Sequence, residues 1–269
     1  MSRYAELIAR LDQADGEVDA LLDDVQAFFD REDVLTVAPR EGDRGPVYAL
    51  YVTRVVQPPR LAWGLKVGAA VHGYRAALDN LVWALAAEEQ GAPSYPVPDE
   101  WRRLAFPIPR KRGGCPSDDK VRLVGGAARQ TLLELAAHDD FWVLDELWNL
   151  DKHRFLPVVV SIATLEEVRS DLVQVVPAMM RSDPFVQAHR LERIGAAQKV
   201  SMEVGSLLGR FASVGPRSPL DPIVWEADVG LGLDFGESTP VGGRAVVGEL
   251  QHLGIRARET VAALRSVLD

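Results

Sequence analysis

Apolar residues recur every three or four positions through several long stretches of this chain, which is the period of an amphipathic α-helix. The pattern predicts four core helices, at residues 2–31, 60–90, 139–155 and 240–268. A shorter helix is predicted over 117–137, and the proline-free segment 185–213 is a candidate fifth core helix. Because the first and last helices each carry a continuous apolar stripe, we expect these two to pack against one another.

Two other parts of the chain have the alternating, β-branched pattern of strands. Residues 34–57 predict a β-hairpin, and a β-rich segment covers about 156–236. Individual strands are predicted at 156–164, 171–178 and 223–235. The predicted fold class is therefore α+β and predominantly helical, with a four- to five-helix core, a hairpin and a small irregular β-layer. No repeat or evident linker interrupts the chain, which predicts a single domain over 1–269.

The helix predicted over 60–90 is apolar nearly all the way round, yet it carries His72, Arg75 and Asp79 on one side. At 100° per residue these three side chains fall within about 60° of each other. A stripe nearly opposite is wholly apolar and comprises Val67, Val71, Tyr74, Leu78, Leu81, Val82 and Leu85. Both faces are therefore predicted to be buried. Since an unpaired buried charge is costly, we expect the three ionisable side chains to form an internal network.

A second polar cluster occurs in the aromatic segment FWVLDELWNLDKHRF, residues 141–155. One sector of this helix, about 60° wide, contains Trp142, Glu146, Asn149 and His153. Asp151 and Arg154 lie at the border of a neighbouring apolar stripe. Two largely apolar helices that each carry histidine, carboxylate and further polar groups are expected to face one another across a polar pocket.

Charge is distributed unevenly along the chain, whose formal net charge is −9. The net charge argues against indiscriminate binding to nucleic acid. Residues 1–34 contain ten acidic and three basic residues, whereas 101–130 contain eight basic and two acidic residues. The second stretch, which includes Arg110, Lys111 and Arg112, has two interpretations: a solvated loop, or an edge that contacts phosphate groups.

Cysteine usage and hydropathy bear on the compartment. The single cysteine, Cys115, excludes an intramolecular disulfide and fits a reducing environment, and we interpret it as an incidental loop thiol. No secretory signal and no membrane span are visible, because charged residues interrupt the longest apolar region. These features predict a cytoplasmic protein without a membrane partner.

A resemblance to known proteins is carried by RAALDNLVWAL at 75–85, FPIP at 106–109 and LWNLDKHR at 147–154. The three segments resemble a group of uncharacterised bacterial and phage-associated proteins with an Arg-x-x-Leu-Asp-His helix and an Asn-Ile-Asp-Lys-His-Arg segment. The Arg-x4-His part of that pattern is in turn similar to the signature of the HEPN superfamily. That likeness implies a helical homodimer with its site at the seam, acting on RNA in a defence or toxin setting.

In HEPN ribonucleases the arginine holds the scissile phosphate and the histidine assists proton transfer, without metal. Arg75 matches the arginine, but Asn80 stands at the histidine position. An amide does not exchange a proton near neutral pH, so the acid or base would have to be His72 or His153. The resemblance thus implies Arg75, His72 and His153 as catalytic residues, with a supporting set comprising Asp79, Asn80, Asn149, Asp151 and Arg154.

Two alternatives need no ribonuclease. Pairs seven residues apart, His72 with Asp79 and Glu146 with His153, lie on one helix face each and offer metal ligands, although Arg75 would repel a cation. Alternatively, Arg75 and Asp79 form an ion pair that Asp151 or Asn149 completes, and the histidines are satisfied core residues. The leading hypothesis is an HEPN-like protein that binds or cleaves RNA without a cofactor. Its rival is a non-catalytic binding or scaffold protein with a structural polar core.

Overall fold

The chain forms two groups of closely packed segments in a computed structural model that describes residues 2–31, 33–39, 47–153, 156–170, 190–194, 200–214 and 225–268. The first unit comprises Met1–Val25, Pro59–Val158 and Asp234–Asp269. The second comprises Gln26–Pro58 and Val159–Leu233. The organisation of the chain as a single domain stays a prediction.

The helices of the chain confirm the predominantly helical fold class. They are α1 (Arg3–Phe29), α2 (Arg60–Gln90), α3 (Asp99–Arg102), α4 (Gly126–Ala136), α5 (Asp139–His153), α6 (Val246–Ala263) and α7 (Arg265–Leu268). The helix predicted over 117–137 is divided into a 3-10 turn, Asp118–Val121, and α4. Helix α6 begins later than predicted, because Gly243 adopts a φ of +75° and donates its N–H to Phe235 O at 2.8 Å in a tight turn before the helix.

Helices α1 and α6 pack together as predicted. Arg258 of α6 donates to Asp12 at 2.6 Å and to Asp15 at 2.9 Å, both on α1. The Tyr74 hydroxyl of α2 also donates to Asp15, at 2.6 Å, beside Gly254 of α6. Burial and the hydrogen bond to Asp15 raise the pKa of the Tyr74 hydroxyl. Three helices therefore meet at one carboxylate on this side of α2.

Helix α2 is buried over about half of its circumference rather than over both faces. Trp63, Val67, Val71, Tyr74, Leu78, Leu81, Val82 and Leu85 are buried. The predicted burial of the other face is wrong in part: Leu61 is 57% exposed, Leu65 is 53% exposed, and His72 is exposed. That face is apolar, but none of the described elements covers Leu61 or Leu65.

The described strands lie almost wholly in the second unit and form two sheets. The strands are β1 (Leu35–Pro39), β2 (Val47–Val55), β3 (Val158–Ser170), β4 (Arg190–Ile194), β5 (Val200–Ser201), β6 (Leu207–Val214) and β7 (Trp225–Phe235). One sheet has the order β1-β2-β6-β4 and the other β5-β3-β7. The hairpin is confirmed, since β1 and β2 pair antiparallel from Leu35 and Val55.

The candidate helix at 185–213 is wrong, because its described residues form β4, β5 and β6. Strand β6 pairs with β2 on one side and β4 on the other, and this pairing decides its conformation over its weak helical periodicity. The strands predicted at 156–164 and 223–235 correspond to β3 and β7, and the one predicted at 171–178 lies outside the described residues. In the described part of the chain, no helix combines the length and the apolar content that crossing a bilayer requires.

Candidate functional site

Arg75 is the centre of the polar cluster and is only 6% exposed. Its Nη1 donates to Asp79 Oδ1 one turn further along α2. Its Nε donates to Asp145 Oδ1 on α5 at 3.2 Å. The guanidinium also lies 5.3 Å from the centroid of the Trp148 ring, within the range of a cation–π contact. The predicted contact between the two polar helices is therefore confirmed, with Arg75 as the bridge.

Asp79 joins a third segment to the cluster. Its Oδ1 accepts the backbone N–H of Phe106 at 2.8 Å, in the loop between α3 and α4. The Phe106 ring is buried and packs edge-on against Phe141 of α5, with 4.9 Å between ring centroids. One carboxylate thus holds the FPIP segment against α2, while the neighbouring ring holds it against α5.

The positive charge of Arg75 is already compensated within the chain before any ligand arrives. Burial raises the pKa of the Asp79 carboxyl, and the nearby Arg75 charge opposes that rise. With Asp79 and Asp145 both ionised, one guanidinium faces two carboxylates, which leaves a formal charge of −1 on the three groups. Such a cluster does not attract a phosphate group.

A more exposed group of side chains surrounds Trp148. The indole N–H of Trp148 donates to Nδ1 of His72 at 3.2 Å, so the neutral imidazole carries its proton on Nε2. The Lys152 ammonium lies over the same indole ring, 2.7 Å from its centroid. Desolvation lowers the pKa of the Lys152 amine, and the Asp145 carboxylate opposes that fall. A histidine and a lysine therefore lie on one tryptophan at the open edge of the cluster.

Two further polar residues of α5 complete the surroundings. Asn149 Nδ2 donates to Asp145 Oδ2 at 3.3 Å and so holds the carboxylate that faces Arg75. The Asp151 carboxylate lies against the backbone at Gly68, where an added Cβ would come within 2.7 Å of its Cγ. Burial raises the pKa of Asp151, opposed by His72. Gly68 is therefore the position that lets α5 approach α2 at this point.

The structure brings only some of the predicted site residues together. Arg75, Asp79 and Asn149 belong to the cluster, whereas Asp151 and His72 lie at its edge. The prediction that His72 is a core residue is wrong, because the face of α2 that carries it is open to solvent. The third partner of the Arg75 network is Asp145, instead of the predicted Asp151 or Asn149.

The remaining predicted residues lie elsewhere. Asn80 lines a groove between α1 and α2. It lies about 140° around the axis of α2 from Arg75, so the two side chains point in different directions. His153 is the last residue of α5, and its side chain and the whole of Arg154 lie outside the described part of the chain. The structure therefore offers no support for pairing Arg75 with an acid or base at position 80.

Sequence reasoning missed Asp145, Trp148 as a polar-edge residue, and Lys152. These three positions, with Asn149, follow one another at the three- and four-residue spacing of a single helix face. Trp148 is only partly buried and turns its indole N–H towards His72. Asp145 lies one helical turn before Asn149, so it could have been predicted as a member of the same polar face of α5.

The basic stretch 101–130 contains Phe106, which contacts Asp79, and its Arg112 side chain reaches the start of α5. Arg112 pairs with Asp139 at 2.9 Å, and its hydrogen bond is the main reason that the pKa of Asp139 is lowered. Asp139 precedes Asp145 by six residues, about 9 Å along the helix. Arg110 and Lys111 are exposed and form no ion pair with any described residue. Two cations of the three predicted to contact nucleic acid are therefore unpaired in the described structure.

The described residues do not support the predicted metal site. They contain no group of three or more histidine, cysteine, aspartate and glutamate side chains arranged to hold an ion. Asp79, one of the predicted ligands, is engaged by Arg75 and by the N–H of Phe106.

Comparisons of the chain with protein-family models, with curated proteins and with solved structures found no match.

Proposed function

We propose that this protein acts by binding and that Arg75 is a structural clamp rather than a catalytic residue. The observation that carries the proposal is the state of the guanidinium, which is 6% exposed and held by Asp79 and Asp145. Through Asp79 the clamp also fixes the Phe106 segment. Removing the Arg75 side chain would therefore weaken the contacts among α2, α5 and the Phe106 segment, as expected of a residue with a structural role.

A catalytic role for Arg75 would require a phosphate to displace a carboxylate from a buried guanidinium. The phosphate would lose its own hydration and would meet two negative groups at that position. The geometry therefore favours the non-catalytic alternative over phosphate capture at Arg75.

RNA is the second element of the proposal, as a ligand of the basic loop. The specific observation is that Arg110 and Lys111 are exposed and unpaired among the described residues, in a chain of net charge −9. Four other bases of that stretch are neutralised locally: Arg102, Arg112, Arg122 and Arg129. An HEPN-like cleavage that bypassed Arg75 would use His72 and Lys152, which lie exposed on Trp148.

The experiment combines cleavage and binding of one end-labelled RNA of mixed sequence in EDTA. The variants are Arg75→Ala, the double variant Arg110→Ala with Lys111→Ala, and Arg129→Ala as a matched control in which a paired arginine is removed. Each variant is first checked for its helical circular dichroism signal.

The proposal expects no cleavage in any lane, and binding that the double variant loses while Arg129→Ala retains it. Loss of two phosphate contacts should reduce the slope of log K against log salt by about 1.4. Cleavage by the wild type that folded Arg75→Ala lacks would refute the clamp. Cleavage lost instead on replacing His72 or Lys152 would favour the HEPN-like alternative, and no binding by the wild type would remove RNA from the proposal.

A further inference from the structure

Beside the groove that contains Asn80, a second groove of about 290 Å³ lies between α1 and α2, and we call it the alanine groove. Its floor is formed by Ala69, Gly73 and Ala76, which follow one another at helical spacings on α2. These side chains are small where α1 comes close, since a Cβ added to Gly73 would lie 2.7 Å from the Cβ of Ala14. Pockets for small molecules begin at roughly 300 Å³, so the alanine groove has room for a small ligand.

The α1 side of the alanine groove carries two opposite charges. Arg10, Gln13 and Glu17 line it, and their spacing of three and four residues places them on one face of α1. Arg10 and Glu17 are seven residues apart, which is about 10.5 Å along the helix axis. The groove therefore presents a cation towards one end, a carboxylate towards the other end and a side-chain amide between them.

Neither of these two charges is paired with another described residue. Within the described part of the chain, the ion pairs of α1 use a different set of side chains: Arg3, Asp12, Asp15 and Asp24. Glu6, one turn before Arg10, does not pair with it either. The Gln13 side chain makes no hydrogen bond to any described residue. The guanidinium, the carboxylate and the amide are therefore all free to contact a ligand.

His72 of α2 contributes a further hydrogen-bond donor to the alanine groove. Its Nδ1 accepts the indole N–H of Trp148, so the neutral ring carries its proton on Nε2. The His72 side chain lines the groove beside Gly73. Polar groups thus lie on both sides of an apolar floor, which is the usual composition of a small-ligand site.

A short peptide with free ends has the chemistry that matches this arrangement. At about pH 7 its amino end is protonated and its carboxyl end is ionised. An extended chain advances about 3.3 Å per residue, so a tripeptide spans about 10 Å, close to the separation of Arg10 and Glu17 along α1. Its backbone amides can donate to and accept from Gln13, whose side-chain amide has both functions. A simple anion would match Arg10 alone and would be repelled by Glu17.

We propose that the alanine groove binds a short free peptide, with the peptide carboxylate at Arg10 and the peptide ammonium at Glu17. Gln13 contacts the backbone amides between the two ends, and small peptide side chains lie on the alanine floor. This inference is independent of the RNA proposal, because Arg110 and Lys111 take no part in it.

The first test is a titration of the full chain with trialanine, followed through the backbone amide signals in nitrogen-15 NMR spectra. The proposal expects saturable shifts at Ala69, Gly73 and Ala76 with a Kd of about 1 mM or below. N-acetyl-trialanine lacks the ammonium and trialanine amide lacks the carboxylate, so each should bind at least about threefold more weakly. The proposal is overturned by equal binding of the three peptides, or by the absence of saturable shifts at these residues up to about 10 mM trialanine.

The second test assigns each end of the peptide to its residue. Arg10→Gln should raise the Kd for trialanine at least about threefold and remove the difference between trialanine and its amide. Glu17→Gln should likewise remove the difference between trialanine and the acetylated peptide. The matched control is Asp23→Asn, which removes an exposed carboxylate about 120° around α1 from Glu17 and should bind like the wild type.

A charge exchange completes the test. Arg10→Glu combined with Glu17→Arg should restore the binding that either single change weakens, because the peptide can then bind in the opposite direction. Each variant is first checked for its helical circular dichroism signal. Unchanged binding by Arg10→Gln and Glu17→Gln, or an equal loss in Asp23→Asn, overturns the alanine groove as the site. A double variant that binds no better than the single variants overturns the assignment of the two ends.

Discussion

The stability of Arg75→Ala distinguishes a clamp from a catalytic site. The substitution removes the guanidinium and leaves the carboxylates of Asp79 and Asp145 without their cation. Removing one partner of a buried ion pair typically costs about 3–5 kcal/mol of unfolding free energy. Here the carboxylates are 31% and 26% exposed, so water recovers part of that cost. We expect a loss of about 3 kcal/mol, near the lower end of the range.

Urea unfolding followed by circular dichroism measures this loss. With an m value of about 2 kcal/mol per molar urea, a loss of about 3 kcal/mol lowers the midpoint by about 1.5 M. Arg129→Ala is the matched control, because it removes an arginine whose pair with Asp118 is exposed, at 34% and 60%. Ion pairs that are exposed to solvent contribute little to stability, so the control should shift the midpoint far less than Arg75→Ala does.

A neutral replacement of the whole cluster tests the cause of the loss. The triple variant Arg75→Met, Asp79→Asn, Asp145→Asn carries no unmatched charge, and its residue 79 still offers an oxygen to the Phe106 N–H. It should therefore be more stable than Arg75→Ala alone. If Arg75→Ala shifted the midpoint no further than Arg129→Ala does, the clamp argument would be refuted.

Three other results are expected for residues of the first unit. Burial raises the pKa of Asp79, so the folded state binds its proton more tightly than the unfolded state does. Wild-type stability should consequently fall as pH rises from 3.8 through the raised pKa, and Asp79→Asn should flatten that dependence in urea melts. Gly73→Ala should cost about 1–3 kcal/mol because its Cβ meets Ala14, whereas Gly16→Ala, with open space around it, should stabilise the chain by up to about 1 kcal/mol. Lys152, whose amine pKa is lowered by desolvation, should be acetylated faster at neutral pH than the other exposed lysines, as measured by peptide mass spectrometry.

The helices could be predicted from the sequence because the spacing of apolar residues within each one marks the face that is buried. Leu7, Leu11 and Leu21 of α1 are buried as their spacing requires, and Leu250 and Leu253 of α6 are buried likewise. The segment 185–213 was different, because two of its described strands pair with distant parts of the chain, β6 with β2 and β5 with β3. Strand pairing of that kind depends on the position of β2 and β3, which no local pattern specifies.

Contacts of the candidate site could be predicted from the sequence only where both residues lie on the same helix. Arg75 and Asp79 are one turn apart, so their ion pair follows from α-helical geometry alone. Asp145 was missed because its contact with Arg75 depends on how α5 is rotated about its axis relative to α2. The exposure of His72 was missed for a similar reason, since a helix pattern does not indicate which of two apolar faces a neighbour covers.

The boundary between the covered and the open face of α2 separates positions that determine stability from positions that do not. His72 and Arg75 differ by about 60° around the helix axis and both contact α5, yet only Arg75 is buried. Side chains on the covered edge meet their partners within the chain, so changing them alters the free energy of unfolding. Leu61 and Leu65 lie on the open face and are more than half exposed, so changing them should leave the free energy of unfolding nearly unchanged. Arg75→Ala should therefore lower the urea midpoint, whereas Leu65→Glu should shift it no further than Arg129→Ala does. If Leu65→Glu unfolded as early as Arg75→Ala, the two faces of α2 would act as one structural element.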